Sequence, residues 1–400
     1  MSHASFMEKL LDGVEVEWEY LSQGENKLTE LRRGRVMSKI YLSENFGDYP
    51  VYSSQTANNG EIGKISTFDF DGEFVSWTTD GANAGTVFHR TGKFSITNVC
   101  GLIKINNEEK LKYKFLFYWL SIVAKKYVYS GMGNPKLMSN QMEKISIPIP
   151  PLKIQTEIVR ILDTFTELTA ELTAELTARK KQYSYYRDKL LSFEEGEVEW
   201  KRLGEVGELV RGNGLPKKDF TETGVPAIHY GQIYTYYGIH TKETKSFVSI
   251  ETAKKLKKVD KGDVVITNTS ENLEDVGKAV VYLGEIQAVT GGHATIFKPS
   301  ENILGKYFAY YTQTNMFSKK KRKYAKGTKV IDVSATDMAK IIIPIPPLKE
   351  QERIVTILDK FDTLTNSISE GLPREIALRQ QQYEYYRELL LSFPKKEVEE

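Results

Sequence analysis

The sequence predicts a mixed α/β (α+β) chain in which two globular domains alternate with two long helices, in a circular, pseudo-twofold order. Three observations carry this. "ISIPIPPLKIQTEIVRILDTF", from Ile145 to Phe165, returns as "IIIPIPPLKEQERIVTILDKF", from Ile341 to Phe361, 196 positions later. "KKQYSYYRDKLLSF", from Lys180 to Phe193, returns as "RQQQYEYYRELLLSF", ending at Phe393, and the offset has grown to 200. The opening "EKLLDGVEVEW" resembles "DKLLSFEEGEVEW", which ends at Trp200, and "LLSFPKKEVEE" at the C-terminus begins the same phrase again.

The order along the chain follows from these repeats. Residues 1–18 complete the circular repeat, 19–151 form the first domain and 152–193 the central helix. A linker with the second domain fills 194–347, and 348–400 form the returning helix. Each repeat opens on prolines, Pro148, Pro150 and Pro151 or Pro344, Pro346 and Pro347, which hold the backbone extended and then permit a helix to begin. Ile158, Ile161, Leu162, Phe165, Leu168, Leu172 and Leu176 recur at three and four residues, followed by Tyr183, Tyr186 and Leu190. The spacing predicts one helix of about 40 residues, roughly 60 Å long, whose apolar stripe needs a partner helix. The second copy carries Ile354, Ile357, Leu358, Phe361 and Leu364, then "SEGLPRE", where Gly371 and Pro373 predict a break that absorbs the four extra residues. The two domains contain short β-type runs such as "EFVSWTT", "KFSITNVCGLIKI", "GDVVITNT" and "KAVVYLG", bounded by Gly or Asn. Apart from their ends they share little sequence.

A chain of 400 residues with 40% hydrophobic composition has enough apolar material for two or three cores. The formal net charge of +2 gives no general argument for nucleic acid, so any basic surface must be local. The single Cys100 excludes an internal disulfide framework and a cysteine-rich zinc site. No stretch approaches 18 uninterrupted apolar residues and the N-terminus lacks an apolar signal core, so the chain is read as soluble and cytoplasmic.

At its centre, "FTELTAELTAELTARKKQ" repeats TAEL at Thr169–Leu172 and Thr173–Leu176. The tetrapeptide has the length of the difference between the two repeat offsets. Together with the duplicated "IPIPPL...Q..IV.ILD.F" and the "QY.YYR..LL" helix ends, this layout resembles the specificity subunit of type I restriction-modification enzymes, over essentially the whole chain. The tandem TAEL resembles the subfamily in which copies of that unit set the gap between two half-sites. The resemblance implies two target-recognition domains that each read half of a split, asymmetric site in double-stranded DNA, separated by antiparallel coiled-coil helices. It also implies a complex with two methylation and two restriction subunits, to which S-adenosylmethionine, ATP and Mg belong, with no cofactor in this chain. Half-sites on one face of B-DNA lie about 10 bp apart; if each domain reads ~3 to 5 bp, the unread gap is ~6 or 7 bp. One TAEL adds ~6 Å and ~40° of helix, close to the rotation of one base pair. Two copies are read as a gap of about 6 bp, with Thr169, Leu172, Thr173 and Leu176 as spacer positions.

Candidate DNA contacts are polar loops, since amide side chains pair with adenine at the base edges. In the first domain these are Ser53, Ser54, Gln55, Asn58 and Asn59, then Trp77, Thr78, Thr79 and Asn83. In the second they are Arg211, Asn213, Lys217, Lys218, His229, Tyr230, Gln232, Tyr234, Asn268 and Ser270. Each set has a plain alternative: solvated loops, turn-forming glycines, or tyrosines buried in a core. The run Lys319, Lys320, Lys321, Arg322 and Lys323, with Lys326 and Lys329, is a candidate phosphate surface, although such runs are commonly solvated faces. Lys125, Lys126 and Lys136 form a weaker counterpart.

No phosphate-binding loop, [ND]-P-P-[YF] methyltransferase motif or histidine ligand spacing is present. Asp188, Glu199 and Lys201 imitate a nuclease set in composition only. The chain is therefore expected to be non-catalytic. Two other readings stay open at this stage, a methyltransferase or nuclease in its own right and a coiled-coil adaptor without DNA specificity.

Overall fold

The computed structural model describes residues 6–24, 27–131 and 133–394. The outermost ends of the first and last expected segments, 1–5 and 395–400, lie outside the described residues, and with them most of the C-terminal "PKKEVEE". Two compact units divide the chain. One runs to Glu171 and resumes at Ala377, and the other holds Leu172–Ile376. The boundary falls inside the first TAEL.

The proline segments take the same form in both units, as two-stranded antiparallel ribbons. Glu17–Tyr20 pairs with Ser146–Ile149, setting Trp18 opposite Pro148, and Glu199–Arg202 pairs with Ile342–Ile345, setting Trp200 opposite Pro344. Proline is tolerated there because the ribbon has only two strands and no inner ladder to interrupt. A helix follows each ribbon. Its first turn is fixed by a fully buried glutamine: Gln155 Nε2 donates to Pro150 O and Lys110 O, each at 2.8 Å, and its Oε1 accepts from Lys112 N at 3.0 Å. Gln351 does the same with Pro346 O, Asn302 O and Leu304 N, at 2.8, 2.9 and 2.9 Å.

The central helix is continuous over Leu152–Leu190, 39 residues. Ile154, Ile158 and Leu162 are buried in the first unit and Tyr183 in the second. The TAEL stretch between them is less enclosed. Leu168 is 39% exposed and Leu172 and Leu176 are half-buried, so the expected stripe is packed tightly only toward its ends. Thr169 and Thr177 return their hydroxyls to the carbonyls of Phe165 and Thr173, and Glu175 pairs with Arg179 at 3.3 Å. The returning segment is broken as expected, into Leu348–Asn366 and Gly371–Leu390. Gly371 has φ +74°, and a Cβ there would come within 2.3 Å of Thr363 O.

The first unit is built on a six-stranded sheet in the order Thr29–Arg33, Cys100–Ile105, Phe70–Thr78, Val87–Ile96, Phe46–Tyr52, Glu61–Ile65. Its core takes in Phe115, Trp119, Ile154 and Ile158, and the end of the chain as Leu390, Leu391 and Phe393. The second unit has two five-stranded sheets. One is centred on Val264–Thr267 between Ala294–Pro299 and Ala279–Tyr282, the other on Val225–Ile228 between Ser246–Val248 and Ala288–Thr290.

Beneath unlike sequences the units share a frame. Lys114 and Tyr118, one turn apart on the helix Tyr113–Val123, both bind Asp163 of the central helix, at 2.6 and 2.7 Å. Lys306 and Tyr310 bind Asp359 at 2.8 and 2.7 Å. Burial and the carboxylate together push both tyrosine hydroxyls far above their ordinary range.

Candidate nucleic-acid interface

Two of the loops singled out in the sequence occupy one place in this shared frame. In the first unit Gly85 N donates to Thr78 O, and Leu137 N to Thr79 O, each at 2.9 Å. In the second unit Gly277 N donates to Thr267 O at 2.8 Å, and Val333 N to Asn268 O at 3.0 Å. Gly85 and Gly277 both close their loops with left-handed backbone, φ +81° and +78°, which favours glycine. The corresponding loops therefore span 80–84 and 269–276.

This placement corrects several expected contacts. Trp77, Thr78 and Thr79 are fully buried: the indole donates to Leu137 O at 2.9 Å, the Thr78 hydroxyl serves its own loop, and Thr79 binds Asp80 at 2.7 Å. Asn268 and Ser270 are buried as well, and the Asn268 amide has no partner. These residues form the floor of the loops, with their side chains enclosed rather than presented at the surface as expected. Asn83 remains exposed, and its amide donates to Thr56 Oγ1 at 3.3 Å. That bond joins it to the other first-unit candidates. Gln55, Asn58 and Asn59 are exposed, Ser54 is half-buried, and Ser53 accepts from Thr97 Oγ1 at 2.8 Å.

The second unit gathers its candidates around an aromatic cluster. His229 lies 5.3 Å from Phe220 and 4.5 Å from Tyr230, and Tyr230 lies 4.9 Å from His293. His293 Nδ1 is 3.0 Å from Thr269 Oγ1, which ties the cluster to the 269–276 loop. Burial, aided by His293 and Lys217, lowers the pKa of His229, so its imidazole is held neutral. Arg211 donates to Gly292 O at 3.2 Å and faces Asp332 at 3.6 Å, while Asn213 bridges to Gly291 and donates to Lys255 O. Tyr234 is half-buried near Tyr230, Asp275 and Glu271, and Lys217 and Lys218 are exposed. Gln232 is half-buried, and its amide is held by Ser246 and Tyr237, at 2.6 and 3.3 Å. His293, Thr269 and Gly291–Gly292 were not foreseen. The "GGH" triplet was their one visible signal.

The basic run is not a uniform surface. On the helix Asn315–Arg322, Phe317 and Lys321 share a face, and Lys321 is buried. Its ammonium donates to Glu274 O at 3.1 Å and to Val276 O, and burial with Lys278 nearby lowers its pKa to about 8. Lys320 lies 4.4 Å over the Trp200 ring and donates to Ile342 O at 2.7 Å. Lys326 pairs with Asp337 at 3.0 Å. Among the described residues, Lys319, Arg322, Lys323 and Lys329 are exposed without an ion pair. Lys125 and Lys126 are also exposed, whereas Lys136 faces Asp80 at 3.8 Å. Asp188 is taken up by Arg187 and Asn315, and Glu199 pairs with Lys201, so the nuclease imitation does not assemble. No cluster of three or more metal-ligating side chains exists among the described residues.

The family model "Type I restriction modification DNA specificity domain" matches the chain twice, over residues 15–179 and 195–378. The Type I restriction enzyme EcoR124I/EcoR124II specificity subunit of Escherichia coli is 38% identical over 420 residues, covering 100% of this chain and 99% of its own. This chain belongs to the type I restriction-modification specificity subunits. A putative specificity subunit of this type from Haemophilus influenzae is 35% identical, with 98% and 99% covered. The solved type I restriction-modification S subunit from M. genitalium has the same fold, with a TM-score of 0.57 at 17% identity over 96% of this chain and 98% of its own. The two matched segments each contain one ribbon, one set of loops and the helix start that carries the buried glutamine, so the specificity domain and the shared frame coincide. No helix among the described residues is long and apolar enough to cross a membrane.

Proposed function

We propose that this specificity subunit reads an asymmetric, bipartite site in double-stranded DNA, with one half-site assigned to each unit and an unread gap of about 6 bp. The observation that supports this most directly is the double match of a DNA specificity domain on one repeated frame, with loops of unlike length and composition at equivalent places. A shared frame with different loops fits two readers of different sequence. Contacts are assigned to Gln55, Asn58, Asn59 and Asn83 in the first unit, and to Arg211, Asn213, Lys217, Lys218, His229, Tyr230 and Tyr234 in the second. Lys319, Arg322, Lys323 and Lys329 are assigned to phosphates, which position the domain without specifying bases.

The chain itself is non-catalytic in this reading. It scaffolds two methylation subunits and, for cleavage, two restriction subunits in the cytoplasm, and S-adenosylmethionine, ATP and Mg act in those partners. TAEL serves as the spacer unit. The test is methylome sequencing of cells that carry this chain with its methylation partners. A single split motif with two fixed half-sites is expected; methylation without a defined split site would refute it, and methyl transfer by the isolated chain would refute the non-catalytic role.

A further inference from the structure

The first unit holds a buried arginine whose two outer nitrogens are unpaired. Arg90, on the strand Val87–Ile96, is 3% exposed, and its Nε donates to Ser76 Oγ at 3.1 Å. Its Nη1 and Nη2 atoms are buried and have no hydrogen-bond partner. The guanidinium carbon lies 3.6 Å from the centre of the Tyr52 ring and 4.4 Å from that of Phe88, so its plane is held by aromatic contacts. Leaving charged donors unpaired in a protein interior is costly, and a protein retains such an arrangement when a ligand completes it.

What covers the free edge is the candidate loop. A Cβ placed on Gly60 would sit 3.0 Å from Arg90 Nη2, with Gln55 O and Ser53 O at 3.2 and 3.5 Å from the same point. Asn58, Asn59 and Gly60 lie in succession in the left-handed region, φ +49°, +54° and +83°, a conformation that costs non-glycine residues energy. The base of the loop is held by Ser53 N to Gly60 O at 3.0 Å and Thr97 Oγ1 to Ser53 Oγ at 2.8 Å, and its outer part by the Asn83 to Thr56 bond and by Gln55 Nε2 to Glu61 O. A short turn of asparagine and glycine, exposed at Asn58 and Asn59, is thus what separates the two unpaired nitrogens from solvent.

We propose that Arg90 is a guanine-reading residue of the first recognition domain, uncovered when the Ser53–Gly60 loop moves aside on the duplex. This rests on the DNA-reading function proposed above. The two unpaired Nη groups form the fork that matches O6 and N7 of guanine in the major groove. Fixing the plane through Tyr52, Phe88 and Ser76 is the preorganisation that base readout needs. A phosphate contact does not need it, and exposed lysines supply that more cheaply.

The test uses the chain assembled with its methylation partners, carrying Arg90→Met or Arg90→Lys, with methylome sequencing and binding measured on site variants. Expected is a guanine in the first half-site whose discrimination against other bases falls roughly five- to 150-fold in both variants. The second half-site and the gap should stay unchanged in both variants. An unchanged first half-site, a first half-site without guanine, or a uniform loss across all sequences overturns the inference. If Arg90→Met does not fold, Arg90→Lys decides. If the unaltered complex recognises no split site at all, it is the underlying reading that fails.

Discussion

Phe165 stacks on Tyr386, ring centres 5.3 Å apart at 20°, in the first unit, and its repeat counterpart Phe361 stacks on Tyr186 at 5.8 Å and 21° in the second. One interhelical contact is thus made twice, with the partners contributed in opposite chain order. Each pair is expected to couple by about 0.5 kcal/mol, the low end for aromatic pairs, because Tyr386 and Tyr186 are 37% and 38% exposed. Double-mutant cycles of Phe165→Ala with Tyr386→Ala, and of Phe361→Ala with Tyr186→Ala, read this by urea unfolding. The two coupling energies should agree.

Gln155 and Gln351 each satisfy three backbone groups where a ribbon turns into a helix. Replacement by alanine leaves one buried carbonyl, Pro150 O or Pro346 O, and two part-buried groups without this partner, at a cost of about 1 to 3 kcal/mol. Each substitution should lower the unfolding midpoint of its own unit, as followed by hydrogen exchange of the adjoining helix. Equal loss in both units from one substitution would contradict the shared-frame description.

Neutralising Lys319, Arg322, Lys323 and Lys329 together should weaken binding to all DNA sequences. It should also flatten the salt dependence, by up to about three to four in the log–log slope. Substituting Lys321 should leave that slope alone and act on stability. Titration of the complex with DNA at several salt concentrations separates the two.

Lys321 also gives a pH signature. Its folded pKa of about 8 lies below the ordinary 10.5, so the unfolded chain binds the extra proton between those values. Stability from this group is lowest below pH 8 and rises as the pH climbs toward 10.5, by up to ~3 kcal/mol. Comparing the parent with Lys321→Met across that range isolates this group from Cys100, whose thiol is pushed up to about 11 by burial. A pH-independent difference between the two proteins would refute it.

Inserting a third TAEL after Leu176 should lengthen the recognised gap by one base pair and leave both half-sites unaltered, as read by methylome sequencing. A changed half-site, or an unchanged gap, would reduce TAEL to ordinary helix.

The periodic parts of this protein were legible in its sequence. The duplicated prolines, the 39-residue helix, the break at Gly371 and the Glu175–Arg179 pair all follow from spacing and local chemistry. The common frame of the two domains was not, because so few residues of the helices Tyr113–Val123 and Gly305–Tyr311, chiefly Lys114 with Tyr118 and Lys306 with Tyr310, recur between otherwise unlike segments. Composition pointed to polar loops but did not separate their rims from their floors. Thr78, Thr79 and Asn268 are polar residues of the kind that touch bases, yet sheet partners distant in sequence enclose them. Arg90 escaped notice for the converse reason, since its setting depends on Tyr52 and Gly60, which lie 38 and 30 positions from it along the chain, as well as on its strand neighbour Phe88.

The closure of the first unit by Leu390, Leu391 and Phe393 sets an order of assembly on the ribosome. The second unit is a single stretch of chain and has all its parts once Ile376 has emerged, whereas the first, although begun earlier, must wait for Phe393. The domain synthesised first is therefore the one finished last. Until then the apolar face of Ile154, Ile158 and Leu162 lacks its closing partners, so premature termination anywhere beyond the second unit strands an unfinished first domain open to aggregation.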